Sequence, residues 1–308
     1  MRFTKMHGIG NDYVYIDTFV NRIDEKIKKE LVRSFSDRHF GIGGDGVIFI
    51  NPSDIADCEM EMYNADGSRS EMCGNGIRCV GKYVYDKGIV DKKELTVISA
   101  GKIKNLKLET VKEAPGIFTG TMFGRRADRQ VVERVTVDMG EAILETGKIP
   151  VDLKKTGVII TNDINVKSPE LCLMQPVRTD TAEYRMTCVS MGNPHAVIYV
   201  DDVEGFPLEE EGPKLEWHEC FPNKANIEFV KVTDRKNAVM RVWERGTGET
   251  LACGTGACAV AVASILNGLC DDKITVHLRG GDLSITWNRD RNRVYMTGTA
   301  VTVFEGEI

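Results

Sequence analysis

Short apolar runs with period-two alternation or β-branched side chains recur along the chain, at Val47 to Ile50, Leu95 to Ile98, Ile227 to Val232, Ile274 to Leu278 and Val301 to Phe304. Runs of this kind read as strands. Helical spacing is rarer. Ile27, Leu31, Val32 and Phe35 would share one face of a helix over 25–35, and two further helices begin just after Cys-Gly-x-Gly at 73–76 and 253–256. Each of the latter should run about ten residues to a terminal glycine, Gly88 or Gly268. The pattern predicts an α/β (α+β) protein of mostly antiparallel, strand-rich domains, each with a central helix.

The pattern also repeats. Residues 63–88, YNADGSRSEMCGNGIRCVGKYVYDKG, share a layout with residues 243–268, WERGTGETLACGTGACAVAVASILNG. At a fixed offset of 180, Cys73 falls on Cys253, Gly74 on Gly254, Gly76 on Gly256, Val80 on Val260 and Gly88 on Gly268. The register extends outward: Gly46-Val-Ile-Phe-Ile falls on Asn226-Ile-Glu-Phe-Val, Thr96-Val97 on Thr275-Val276, and Thr119-Gly-Thr on Thr297-Gly-Thr. Asn11 in GNDYVYID falls on Asn193 in GNPHAVIYVDD. Two pseudo-symmetric copies of one fold are expected, with the active site in the cleft between them, where ligand sites prefer to form. The expected domains are 1–132, completed by a C-terminal strand near 299–308, and 133–298, with Val135 to Asp138 opening the second. Residues 141–182 have no counterpart in the first copy.

Composition narrows the function. The 308 residues carry 40 Lys plus Arg against 46 Asp plus Glu, a net charge of −6. A mildly acidic chain without a clustered basic stripe is a poor nucleic-acid binder, so a small molecule is the expected partner. Arg125, Arg126 and Arg129, and Arg289, Arg291 and Arg293, read as solvated hairpin loops. The N-terminus has no signal-like apolar core, and the longest apolar run, Ala257 to Leu266, is far short of a membrane span, so no membrane association and a cytoplasmic location are expected. Nine cysteines without a CxxC pair fit free thiols in a reducing compartment, and the five scattered histidines predict no metal.

A cysteine before Gly-x-Gly at a helix start has chemical consequences. The glycines leave backbone N–H groups open toward a cavity, where with the helix dipole they suit a carboxylate. The same field should lower the pKa of the thiol. A buried cysteine chosen for size would look the same in a single copy, but two matched copies point to a pair. If the copies face each other, Cys73 and Cys253 can take a proton from one face of an α-carbon and return one on the other, which is racemisation. One sulfur must then be thiolate and the other thiol, so their titrations are coupled. Domain closure around substrate is expected.

MHGIGNDY near the start, YNADGSRSEMCGNG at 63, MGNPHAV at 191, NKANIEF at 223 and WERGTGETLACGTG ending at 256 together resemble the diaminopimelate epimerase family over nearly the whole chain. The resemblance implies cofactor-independent interconversion of LL- and meso-diaminopimelate, in lysine and peptidoglycan precursor synthesis, without pyridoxal phosphate. It implies that Cys73 and Cys253 are the acid/base pair, Cys73 being the base on the LL substrate. Gly74, Asn75, Gly254 and Thr255 would cradle the reacting carboxylate. Asn11, Asn64, Asn193 and Asn226 would bond the ammonium and carboxylate groups, and Arg245 the distal carboxylate. His195 and Glu244 would tune or relay protons beside the thiols, and a homodimer is usual for the family. One departure is Gly46, where some members carry a glutamine whose contact must here be lost or taken by water.

Other readings of the same residues stand beside these. Asn11 and Asn193 could be turn formers, His195 a strand-edge residue bonded to backbone, and Glu244 with Arg245 a surface ion pair. Cys79 and Cys258 read as core fillers, and the other cysteines, His7, His39, His218 and His277 as structural. The scaffold could serve another amino acid, such as histidine, or a different isomerisation, although the latter would not need both cysteines. From a different class, the two thiols could form a reversible disulfide in a redox or amino-acid-binding protein.

Overall fold

The alternating segments fold as ladders around two helices, in a computed structural model that describes residues 1–70, 73–113, 129–158 and 171–308. The chain divides into two compact units, Met1–Val137 with Thr297–Ile308, and Asp138–Met296.

The first unit runs β1 (Arg2–Gly8), β2 (Asn11–Asp17), α1 (Glu25–Ser36), β3 (Gly46–Asn51), β4 (Cys58–Asn64), β5 (Arg69–Ser70), α2 (Gly74–Asp86), β6 (Glu94–Ser99), β7 (Lys102–Lys112) and β8 (Gln130–Gly140). β1 and β2 are an antiparallel hairpin, β2 pairs parallel with β3, β3 antiparallel with β4, and β4 parallel with β6. β6, β7 and β8 continue as an antiparallel meander. Val135 to Asp138 lies within β8, and the second unit begins at Asp138 inside that strand. The strand is paired with β7 through Leu106–Val137 and Leu108–Val135.

The second unit runs β9 (Gln175–Arg178), β10 (Glu183–Ser190), β11 (Pro194–Tyr199), α3 (Leu208–Glu216), β12 (Asn226–Asp234), β13 (Asn237–Glu244), β14 (Gly248–Thr250), α4 (Gly254–Leu266), β15 (Lys273–Leu278), β16 (Gly281–Asn288) and β17 (Arg293–Thr299). From β10 to β16 it repeats the order and the parallel or antiparallel sense of β1 to β7. The chain is thus one α/β fold written twice. The C-terminal β18 (Val301–Glu307) returns to the first unit and pairs antiparallel with β1.

Both central helices are buried along most of their length because strands pack on them: β1, β2, β6 and β7 on α2, and β10, β11, β12, β15 and β16 on α4. In α4 the close packing is served by alanine at 257, 259, 261 and 263, all fully buried. α1 covers β3 in a core of Val14, Ile16, Val32, Val47, Phe49 and Tyr63. Its expected apolar face holds at Leu31, Val32 and Phe35, which pack on this core, but not at Ile27. Lys28, Val32 and Ser36 point inward while Ile27 is 47% exposed, because Lys28 descends to pair with buried Glu61 of β4 at 2.6 Å.

Helix α3 was not expected. It opens on Glu209, Glu210 and Glu211 and contains Pro213, features that mask a helix in a linear reading. Its acids find partners far along the chain: Glu211 accepts from Thr181 and Glu216 from the Trp243 indole, while Gly212 leaves room for that ring. The described part of 141–182 supplies β9, paired with β10, and the core residues Ile149, Val151, Cys172 and Val177. Thr119 to Thr121, Arg125 and Arg126 lie outside the described residues. Among those described, no helix is long and apolar enough to cross a membrane.

Candidate active site

Cys73 and Cys253 are the N-caps of α2 and α4, each in extended backbone conformation, with φ −128° and −115°. Each sulfur accepts the N–H of the glycine three residues on, Gly76 or Gly256, at 3.3 Å. An N-cap is usually oxygen; here sulfur satisfies one of the orphan donors of the first turn. The helix starts are tight: a Cβ on Gly256 would lie 2.7 Å from Glu228 Oε1 and 3.2 Å from Cys253 Sγ.

In the first unit Cys73 donates to Asn11 Oδ1 at 3.0 Å. Asn11 is turned that way because its Nδ2 donates to Asp45 Oδ2 at 2.8 Å, and Asp45 is in turn gripped by Arg38 at 2.8 Å. Tyr13, buried beside them, has its phenol pushed far up by burial and then by the Cys73 sulfur. Asn75 is buried on the first turn of α2, next to Gly74. Asn64 closes its own turn instead, donating to Ser68 Oγ at 3.1 Å. Gly46 has no room for a side chain, since a Cβ there would meet the Tyr63 carbonyl oxygen at 1.9 Å. The polar group nearest to it in sequence with a hold on the site is Asp45.

In the second unit His195 is fully buried, so it is not a strand-edge residue. Its Nδ1 lies 2.6 Å from Glu228 Oε1 and its Nε2 3.1 Å from Asn193 Oδ1. Asn193 Nδ2 donates to Thr255 Oγ1 at 3.4 Å, and Thr255 Oγ1 is 3.5 Å from Cys253 Sγ. Glu244 accepts from Thr250; its carboxyl is raised above the usual range by burial, although hydrogen bonds from Thr250 and Cys253 oppose the rise. Glu244 and Arg245 are not an ion pair. Arg245 is exposed and donates through Nη1 to Asn223 O at 3.1 Å. Asn226 spends its amide on backbone, donating to Pro194 O at 2.9 Å and accepting Arg245 N–H at 3.0 Å, which ties β11 to β13.

The expected lowering of the thiol pKa does not hold for Cys253. Burial comes first and the charges of Glu244 and Glu228 add to it, so the thiol is pushed well above its ordinary range despite bonds from Thr255 and Gly256. Cys79 is likewise raised, to about 11, by burial in α2. All nine cysteines are free thiols.

The family model for diaminopimelate epimerase matches residues 3–122 and 187–303, which include both cysteine caps and nearly every side chain described above. The chain belongs to the diaminopimelate epimerase family. It is 51% identical over 308 residues to the diaminopimelate epimerase of Acetivibrio thermocellus, covering all of this chain and 98% of the relative. It is also 51% identical to that of Methanococcus maripaludis strain C6, covering 99% of it. Solved structures that share the fold include a phenazine biosynthesis protein of the PhzF family from Bacillus anthracis, with TM-score 0.65, 14% identity and coverage of 100% and 98%. Another is a hydroxyproline epimerase from Agrobacterium vitis, with TM-score 0.65, 13% identity and coverage of 100% and 90%. The protein is thus an isomerase of the amino-acid epimerase class.

Within the family frame, the structure gathers Asn11, Cys73, Gly74 and Asn75 in the first unit, and Asn193, His195, Glu244, Cys253, Gly254 and Thr255 in the second. Asn64, Asn226 and Arg245 hold backbone or turn contacts. Three side chains escaped the linear reading: Asp45 and Arg38, which orient Asn11, and Glu228, which pairs with His195. Glu228 had a signal. It is an acid inside the apolar run Ile227 to Val230, at the position where the first copy carries Ile48.

Proposed function

We propose that this protein interconverts LL- and meso-diaminopimelate by two-base proton transfer, with Cys73 and Cys253 acting on opposite faces of one α-carbon. The observation that carries the reading is the matched pair of thiol caps, each at 3.3 Å from its glycine N–H at the start of a buried helix. A sulfur so placed stands beside the open N–H groups of the first turn, which suit the substrate carboxylate and stabilise the charge that builds as the α-proton leaves.

The units are chemically unequal. Burial with Glu244 and Glu228 keeps Cys253 protonated, which suits it to deliver the proton while Cys73 removes one from the LL isomer. In the reverse direction Glu244, raised in pKa and bonded to Cys253, is placed to take up the thiol proton. Gly74, Asn75, Gly254 and Thr255 bind the reacting carboxylate, Asn11, Asn64, Asn193 and Asn226 the ammonium and carboxylate groups of the substrate, and Arg245 the distal carboxylate through its planar fork. His195 serves as a proton-tuning neighbour. No added cofactor takes part, and the enzyme works in the cytoplasm as a homodimer.

The test is to incubate reduced protein with LL-diaminopimelate in deuterated water, following loss of the α-proton and formation of the meso isomer, beside Cys73→Ala and Cys253→Ala. Epimerisation by the wild type and its loss in both variants is expected. A folded, reduced wild type that exchanges no α-proton would overturn the substrate assignment.

A further inference from the structure

The repeated fold supplies its own control for Glu228. Ile48 on β3 and Glu228 on β12 hold the same place under the first turn of a central helix: a Cβ on Gly76 would lie 2.7 Å from Ile48 Cδ1, and one on Gly256 would lie 2.7 Å from Glu228 Oε1. An isoleucine therefore suffices for packing there. In the second unit the position carries a carboxylate with no solvent exposure, whose Oε2 has no hydrogen-bond partner among the described residues. Burying such a group is costly unless it is paired, and its one partner is His195 at 2.6 Å.

The pair begins a chain of contacts that ends at the reactive sulfur. Glu228 Oε1 meets His195 Nδ1 at 2.6 Å, His195 Nε2 meets Asn193 Oδ1 at 3.1 Å, Asn193 Nδ2 meets Thr255 Oγ1 at 3.4 Å, and Thr255 Oγ1 meets Cys253 Sγ at 3.5 Å. Asn193 Oδ1 is an acceptor, so Nε2 must carry a hydrogen. Nδ1 then either donates to the carboxylate or accepts from the carboxylic acid; in both cases one proton lies between Glu228 and His195 and the pair is neutral overall. Which imidazole nitrogen is protonated is decided by the partner of the other. In the first unit the position matching His195 is Tyr13, whose phenol lies beside Cys73 and Asn11.

We propose that Glu228 is a positioning residue of the epimerase: by engaging His195 Nδ1 it holds Nε2–H toward Asn193, and so fixes the amide that orients Thr255 and the Cys253 thiol. Its effect on turnover rests on the epimerase reading above; its effect on the imidazole does not. The other titratable groups facing the pair are Glu244 on β13, Cys253 at the cap of α4 and Cys188 on β10.

The test combines nitrogen NMR of 15N-histidine-labelled protein, with His195 assigned by comparison with His195→Asn, and steady-state kinetics in both directions. Wild type should show a proton on Nε2 of His195, as its acceptor Asn193 Oδ1 requires, and a hydrogen-bonded Nδ1. Glu228→Ile, which installs the residue of the twin position, leaves Asn193 to hold Nε2–H but removes the partner of Nδ1, so the Nδ1 resonance should move to that of an unbonded imidazole nitrogen and kcat should fall by roughly 100-fold, as expected for a misplaced reacting group, with KM little changed. Glu228→Gln, which can still bond Nδ1, should recover most of both. A folded Glu228→Ile protein with unchanged kcat and an unchanged imidazole overturns the proposal. If that variant does not fold, the wild type decides: an unprotonated Nε2 overturns it, and a protonated one together with a disturbed imidazole in Glu228→Leu upholds it. A wild type inactive on diaminopimelate but with the expected imidazole would sink the substrate assignment and leave the positioning intact.

Discussion

Ile48 and Glu228 occupy the same position in two copies of one fold, each 2.7 Å from where a Cβ on the facing helix glycine would lie. Their difference predicts different responses to one methyl group. Gly76→Ala pushes on the end of a flexible isoleucine and should cost about 1–3 kcal/mol of overpacking, measured by urea unfolding. Gly256→Ala pushes on a carboxylate tied to His195 and on the Cys253 sulfur, 3.2 Å away. Epimerase activity should therefore fall further in Gly256→Ala than in Gly76→Ala at matched stability; equal losses would show that the helix starts tolerate displacement alike.

Cys253 is held as a thiol by burial first and then by the charge of Glu244. Removing that charge favours the thiolate, so Glu244→Gln should lower the pH at which Cys253 is half-alkylated by iodoacetamide. The measurement is made in a Cys73→Ser background, with the modified peptide identified by mass spectrometry. A midpoint that stays put or rises would show that desolvation alone sets the thiol.

Gly46 cannot be exchanged for the glutamine that some family members carry, because β3 and β4 approach too closely there. Since a Cβ at Gly46 would lie 1.9 Å from the Tyr63 carbonyl oxygen, Gly46→Gln must part the Gly46–Asn64 pair of the ladder. We expect a loss of about 1–3 kcal/mol in unfolding free energy and no gain in activity. A variant as stable as wild type would show that the strand end shifts freely.

Lys28 and Glu61 form a buried pair beneath α1, 5% and 6% exposed, with Tyr63 also donating to Glu61 at 2.8 Å. Lys28→Met should cost about 1–3 kcal/mol, because it leaves the buried carboxylate to Tyr63, Asn51 and an exposed Arg69 at 3.6 Å. Burial by itself would raise the Glu61 carboxyl, but bonds from Lys28, Tyr63 and Asn51 hold it below its ordinary value. The folded state therefore binds this proton more weakly than the unfolded chain does. The stability it contributes is present above the unfolded value near 4.5 and is lost as pH falls through the depressed one. Thermal unfolding of the wild type between pH 6 and pH 3, about the range concerned, should show a steeper loss than that of Lys28→Met.

Much of this protein was legible in its sequence because its signals are local or repeated. The N-cap cysteines, the helix glycines and the strand alternation depend on residues a few positions apart, and duplication at an offset of 180 made Cys73 and Cys253 stand out as a pair. What the tertiary structure decided depends on partners distant in the chain. Helix α3 turns Leu208 and Leu215 into the core while Glu211 and Glu216 meet Thr181 and Trp243, and Lys28 of α1 is drawn inward to Glu61. The Cys253 thiol follows the same rule. Its local helix field argued for a lowered pKa, but burial and the carboxylates of β12 and β13, brought in by the fold, outweigh it. Spacing along the chain can specify which groups stand at a helix start; only packing sets the dielectric and the neighbouring charges that govern their protons.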